Sequence, residues 1–171
     1  ANELSGWLAT FPMIFPLSMS RLMHLEHHYH CNDSDKDPDF TDEAANAPMA
    51  WYKTWYNRQP GVKGSIHYYK LILARMNSDE SRAALKHTAI FQVAAMAFFF
   101  AMAWSGYAIE VALLWWLPRH VGLSWVRFFL SWAPHHPREG RTGRYENTYV
   151  FKSKVGYYLS MAMEYHLVHH L

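Results

Sequence analysis

Cysteine is almost absent from this 171-residue chain, where Cys31 stands alone. One thiol cannot form an internal disulfide, and it cannot build a zinc site that needs several thiolates. An excess of either charge is also missing. Lys and Arg total 16 and Asp and Glu total 14, for a formal net charge of +2. Nothing in that balance marks nucleic acid as a partner. The opening residues lack the charged n-region and small-residue cleavage site of a signal peptide. Several metal motifs are absent too. Neither HExxH nor HxxEH occurs, which disfavours a zincin-type protease. His24-Leu25-Glu26 offers the HxE half of a zinc deaminase, but the PCxxC half is missing. The acids Asp33, Asp35 and Asp37 fail as an EF-hand, because Pro38 stands where that loop requires glycine.

What the chain does have is apolar surface, aromatic rings and histidine. Hydrophobic residues make up 51%, aromatics 17%, and there are 12 histidines. From Leu4 to Met19 the chain is apolar, yet Pro12 and Pro16 should kink or break it. Arg21 to His30 reads as a polar helix. The acidic stretch from Asn32 to Glu43 reads as a solvated loop, with Pro38 excluding helix. Met49 to Tyr56 (MAWYKTWY) pairs Trp51 with Trp55 and Tyr52 with Tyr56 one helical turn apart. That helix suits either a membrane interface or an aromatic core. Gln59-Pro60-Gly61 marks a turn, and Ser65 to Arg75 a further amphipathic helix.

Thr88 to Ser105 carries no charge and is the clearest membrane signal. Gly106 offers a turn. A second apolar run extends from Val121 to Ala133, so a helical hairpin through a bilayer is expected. Glu110, Arg119 and Arg127 are each costly at a bilayer centre. Laying Tyr107 to Leu117 along the outer interface would keep Arg119 near the surface. Pro134 to Lys154 is polar, with basic residues Arg138, Arg141, Arg144, Lys152 and Lys154 suited to a cytoplasmic face. Val155 to Leu171 reads as a helix.

The histidines then form a pattern. His24, His27 and His28 spell HxxHH, and His166, His169 and His170 repeat it. Positions i, i+3 and i+4 share one helix face, so each cluster projects three imidazoles to one side. Six nitrogens exceed what one tetrahedral zinc can use, so two metals are the natural occupancy. Both clusters must reach the same metals, so an even number of membrane crossings separates them. The hairpin between Thr88 and Ala133 supplies two. His135, in Pro134-His135-His136-Pro137, is a further candidate ligand, favoured over His136.

These residues resemble the membrane fatty-acid desaturase and hydroxylase superfamily. Three blocks narrow the likeness: HLEHHYHCNDSDKDPDF (His24 to Phe40), WAPHHPREGRTGRYENT (Trp132 to Thr148) and YHLVHHL (Tyr165 to Leu171). They are similar to the desaturase-type β-carotene hydroxylases of bacteria and cyanobacteria. The family's usual Arg after the first His of the Pro-His-x-Pro segment is His136 here. The family's first histidine box has no counterpart in the chain, which is expected to be a fragment cut at both ends.

The resemblance implies an all-α fold: an integral membrane helical bundle with a cytosolic cap of helices bearing the His boxes, residues 1–171 forming one partial domain. It implies two irons as cofactor, held by His24, His27, His28, His135, His166, His169 and His170. It further implies O2 as oxidant, electrons from ferredoxin or a similar donor, and a lipophilic substrate entering from the bilayer. Ring hydroxylation of β-carotene is the leading expectation. Fatty acid desaturation and carotenoid ketolation are the alternatives within the superfamily. A membrane metal carrier or sensor using the same histidines is the reading from another class.

Overall fold

The computed structural model describes residues 2–40, 45–56, 70, 72–137, 140–150 and 152–171. The turn at Gln59-Pro60-Gly61 and most of the Ser65 to Arg75 helix lie outside these residues, although 72–75 are helical. All regular structure among the described residues is helical, as an all-α membrane bundle requires.

The prolines divide the first apolar stretch as their chemistry predicts. Helix α1 (Asn2–Thr10) gives way to a 3-10 turn, Phe11–Met13, that contains Pro12, and Pro16 is the N-cap of α2 (Leu17–Tyr29). Proline has no N–H to give a helix interior, so it is tolerated only at such starts. Helix α2 therefore carries the first of the chain's two HxxHH boxes on a segment separate from α1. Helix α3 (Ala47–Tyr56) follows the acidic loop.

Helix α4 (Asp79–Met102) starts nine residues before the uncharged run of Thr88 to Ser105. Ser78 and Ser81 exchange side-chain-to-backbone hydrogen bonds in a capping box, with Asp79 and Glu80 in the first turn. Both devices satisfy N–H groups that a helix start leaves bare. At about 1.5 Å per residue, α4 is about 36 Å long, enough for the roughly 30 Å hydrocarbon core of a bilayer.

The helical run then breaks at Gly106, whose φ of 99° is open to glycine and strained for other residues. It resumes through α5 (Ala108–Glu110), a π-helical stretch Val111–Trp116, α6 (Leu117–Val126) and a second π-helical stretch Arg127–Trp132. Phe99 and Trp115 stack with centroids 3.9 Å apart and planes at 11°. The second arm thus turns back onto α4 directly after Gly106. This corrects the expectation that Tyr107 to Leu117 lies along the outer interface. The physical reason is that Arg119 finds its own partners. Its Nε donates to the Met13 carbonyl at 3.1 Å and its guanidinium sits 5.6 Å from the Trp115 ring centroid. Glu110 is exposed one turn past the hairpin tip.

The hairpin wears its apolar residues outward. Ile90, Val93, Phe98, Phe100, Ile109, Leu113 and Leu114 are all exposed. In water such a surface would be a large liability at about 25 cal/mol per Å²; in lipid it is the expected one.

Buried contacts concentrate at the other end. Met19 of α2 packs with Ile72, Met76, Ala84 and Leu85 at the base of α4. Ala50 of α3 packs with Phe128 of the second arm, and Trp51 stacks on Phe128 at 4.6 Å while Trp55 is exposed. Helix α3 therefore serves core and surface at once.

The last segment departs from the single helix expected over Val155 to Leu171. Helix α7 (Lys154–Leu159), capped by Ser153, stops before Met161 and Ala162, which have φ of 54° and 67°. A 3-10 turn, Met163–Tyr165, then leads into α8 (His166–His170). The break re-aims the second box toward α2.

Candidate metal centre

Three segments converge on one place. Helix α2 brings His24, His27 and His28, helix α8 brings His166, His169 and His170, and the turn after the second arm brings His135. All seven candidate ligands fall into two groups whose donor atoms lie within 4.8 Å of one another: His27, His135, His166 and His170 in one, His24, His28 and His169 in the other. The first group is largely buried and the second more open to solvent. His136 belongs to neither, and its ring stacks on Trp132 at 4.5 Å.

The spacing within the groups is informative. The Nε2 atoms of His24, His28 and His169 form a triangle with all three sides 3.0 Å. For nitrogen ligands at about 2.1 Å, one face of an octahedron has edges of about 3.0 Å, against about 3.4 Å for a tetrahedron. In the other group His166 Nε2 is 3.0 Å from His135 Nε2 and 3.1 Å from His170 Nε2. Neutral imidazole nitrogens this close share no proton unless one ring donates to another, whereas a metal uses all their lone pairs at once. The donor set suits iron and fits two metal ions.

Protonation agrees. Burial and neighbouring imidazoles lower the pKa of His24 and His170, and push His28 to about 4 and His166 to about 3. Near neutral pH these rings are therefore uncharged, with lone pairs available.

Several ring nitrogens facing away from the groups have partners. His27 Nδ1 donates to the Asp37 carboxylate at 2.9 Å, which leaves its Nε2 for the group. His135 Nδ1 lies 3.2 Å from the Asn147 carbonyl and 3.3 Å from the Cys31 sulfur. His166 Nδ1 lies 3.3 Å from the Met163 sulfur. Such partners fix ring orientation and tautomer. Asp37 is fully buried, which corrects the reading of the acidic loop as merely solvated. Asp35 in the same loop is exposed, as expected. Sequence reasoning missed Asp37, Asn147 and Met163. The Asp-Pro-Asp block signalled Asp37, but nothing in the spacing singled out Asn147 or Met163.

A cavity of about 250 Å³ opens against the centre. His24, His27 and His166 line one side, and Phe15, Met23, Leu123, Val126 and Leu130 supply an apolar wall. Arg127 and Asp39 also border it.

Comparison with known proteins now bears on this arrangement. The chain matches the fatty acid desaturase family over residues 1–171, and it belongs to that family. The sn-1 oleoyl-lipid 12-desaturase of Synechocystis sp. is 32% identical over 108 residues, which cover 57% of this chain and 30% of that protein. The match thus spans less than a third of the relative's length. No solved structure matches. Family membership and the exposed apolar hairpin together mark a membrane protein. The superfamily resemblance stands, whereas the narrower likeness to β-carotene hydroxylases finds no support in these comparisons.

Proposed function

We propose that this chain forms the histidine-rich metal centre of an O2-dependent acyl-lipid desaturase. The observation that carries the reading is the pairing of two histidine groups, one with its Nε2 atoms 3.0 Å apart, with an apolar cavity that touches both. The order of expectations is thereby reversed. Fatty acid desaturation moves ahead of carotenoid hydroxylation, because family and relative both concern fatty-acyl substrates.

In this reading His27, His135, His166 and His170 hold one iron and His24, His28 and His169 the other. The iron pair, reduced by an external donor such as ferredoxin, supplies the O2-dependent removal of hydrogen from an unactivated C–H bond that no side-chain acid or base can attack. The chain's own part is positioning. Val126, Leu130 and Met23 hold an acyl segment beside His24 and His166. The lipid-facing hairpin delivers the chain laterally from the bilayer. Arg141, Arg144, Lys152 and Lys154 support a cytoplasmic face for the centre.

Carotenoid ring hydroxylation is the second reading, and the three sequence blocks favour it. One experiment separates the two. The full-length gene is expressed in cells that make β-carotene, and acyl chains and pigments are analysed together. New double bonds in the lipid acyl chains with unchanged pigment are expected. Zeaxanthin or β-cryptoxanthin with unchanged acyl chains would overturn the desaturase reading.

A further inference from the structure

The loop after α2 does more than connect. Three N–H groups converge on the Asp37 carboxylate. Its Oδ1 accepts from His27 Nδ1 at 2.9 Å and from the Asp39 backbone at 2.8 Å, and its Oδ2 accepts from the Asn32 backbone at 2.9 Å. Asn32 has φ of 64°, in the left-handed region. That conformation turns its N–H toward Asp37 while its side chain reaches the other way. Asn32 Nδ2 donates to the Asn147 carbonyl at 2.7 Å and to the Arg141 carbonyl at 2.9 Å. The Asn147 carbonyl is the group that lies 3.2 Å from His135 Nδ1. A continuous path of hydrogen bonds thus runs from His27 through Asp37, Asn32 and Asn147 to His135. Asp37, Asn32, His135 and Asn147 are all buried, so water does not compete for these bonds.

We infer that the 31–39 loop is a clamp in which Asp37 and Asn32 are positioning residues, coupling the orientation of His27 to that of His135. The inference rests on the reading that these two histidines hold metal. His27 and His135 come from segments 108 positions apart, and each ring must point Nε2 at a common centre. A carboxylate on His27 Nδ1 fixes the tautomer that bares Nε2 and raises the ring's basicity. Asn32 ties that carboxylate to the loop carrying the carbonyl behind His135, so neither ring can rotate alone.

The test uses full-length protein loaded with ferrous iron, and reads the iron-to-protein ratio, the rate of iron release to a chelator and the Mössbauer spectrum. Asp37→Asn keeps an oxygen for His27 Nδ1 but removes the charge. Asp37→Ala removes both. Asn32→Gly retains the left-handed backbone at no steric cost and deletes only the bridge. Asp35→Asn, on an exposed acid of the same loop, is the control. Loss of such partners ordinarily costs about 10–100-fold in metal affinity. Release about 10–100-fold faster is therefore expected for Asp37→Ala, with Asp37→Asn and Asn32→Gly at the lower end and an altered Mössbauer spectrum in all three. The control should match wild type. Should Asp37→Ala fail to fold, the other two variants still decide. Wild-type release and an unchanged spectrum in those two, even with a lower melting temperature, would reduce the loop to a structural connection and overturn the inference. Absence of iron from wild type itself would instead remove the proposed function beneath it.

Discussion

His24 and His169 stand 145 positions apart in the chain, yet their Nε2 atoms approach to 3.0 Å. His28 closes the triangle at the same distance from both. Neither box can form this face alone, so each should be required for the metal it shares. On the proposed di-iron reading, His169→Ala is expected to lower bound iron from two per chain toward one and to abolish turnover, while membrane insertion stays intact. His27→Ala, in the buried group, should do the same. Iron analysis of the purified full-length protein with a turnover assay checks both. Near-normal iron and activity in either variant would refute its ligand assignment.

Trp115 links three parts of the molecule. It stacks on Phe99 and donates from Nε1 to the Pro12 carbonyl at 3.1 Å, and Arg119 lies over its ring. Trp115→Ala should cost about 2 kcal/mol, from an aromatic pair of about 1 kcal/mol and a hydrogen bond of about 1 kcal/mol. Thermal unfolding in detergent micelles measures it. A loss below about 0.5 kcal/mol would indicate that the 107–117 segment does not pack on α4.

Two glycines of the hairpin make a controlled comparison. A Cβ at Gly106 or Gly122 would meet nothing within 4 Å, but Gly106 has φ of 99° and Gly122 lies inside α6. Gly106→Ala is therefore expected to destabilise by about 1 kcal/mol through backbone strain alone. Gly122→Ala should stabilise by up to about 1 kcal/mol through helix propensity. Equal effects from the two in the same unfolding assay would argue against a backbone break at Gly106.

Filling the cavity should change the product and spare the metal. Leu130 lines the cavity and is in neither histidine group. Leu130→Trp would fill part of that space with a larger ring system. The expected outcome is loss of activity on longer acyl segments or a shifted double-bond position, with iron content unchanged. Gas chromatography of cellular acyl chains reads it. Wild-type product with wild-type yield would place the substrate elsewhere.

Much of the fold was legible because its signals are local. Pro12 and Pro16 break the first apolar stretch wherever the rest of the chain goes, and an uncharged run such as Thr88 to Ser105 has few homes outside lipid. The clustering of imidazoles within each HxxHH box was legible because i, i+3 and i+4 share a helix face in any tertiary setting. His135 over His136 was a judgement on position, and the geometry separates them: one ring points into the buried group, the other stacks on Trp132. The burial of Asp37 was not legible. Six acids between Asn32 and Glu43 look alike in a sequence, and which one turns inward depends on the fold of the loop around Asn32.

The sequence by itself determined the helical class, the hairpin, the three-imidazole face of each HxxHH box and the break at Gly106, because each follows from side-chain chemistry and short-range spacing. Tertiary structure alone decided how the seven histidines divide into a buried four and an open three, since that depends on where α8 lands after the left-handed break at Met161 and Ala162. It also decided that Tyr107 to Leu117 returns along α4, because Met13 and Trp115 provide Arg119 with partners that make interfacial exposure unnecessary. Hydrogen bonds and stacking between residues a hundred positions apart carry no trace in local spacing, so only the folded chain reveals which acid supports His27 and which carbonyl stands behind His135.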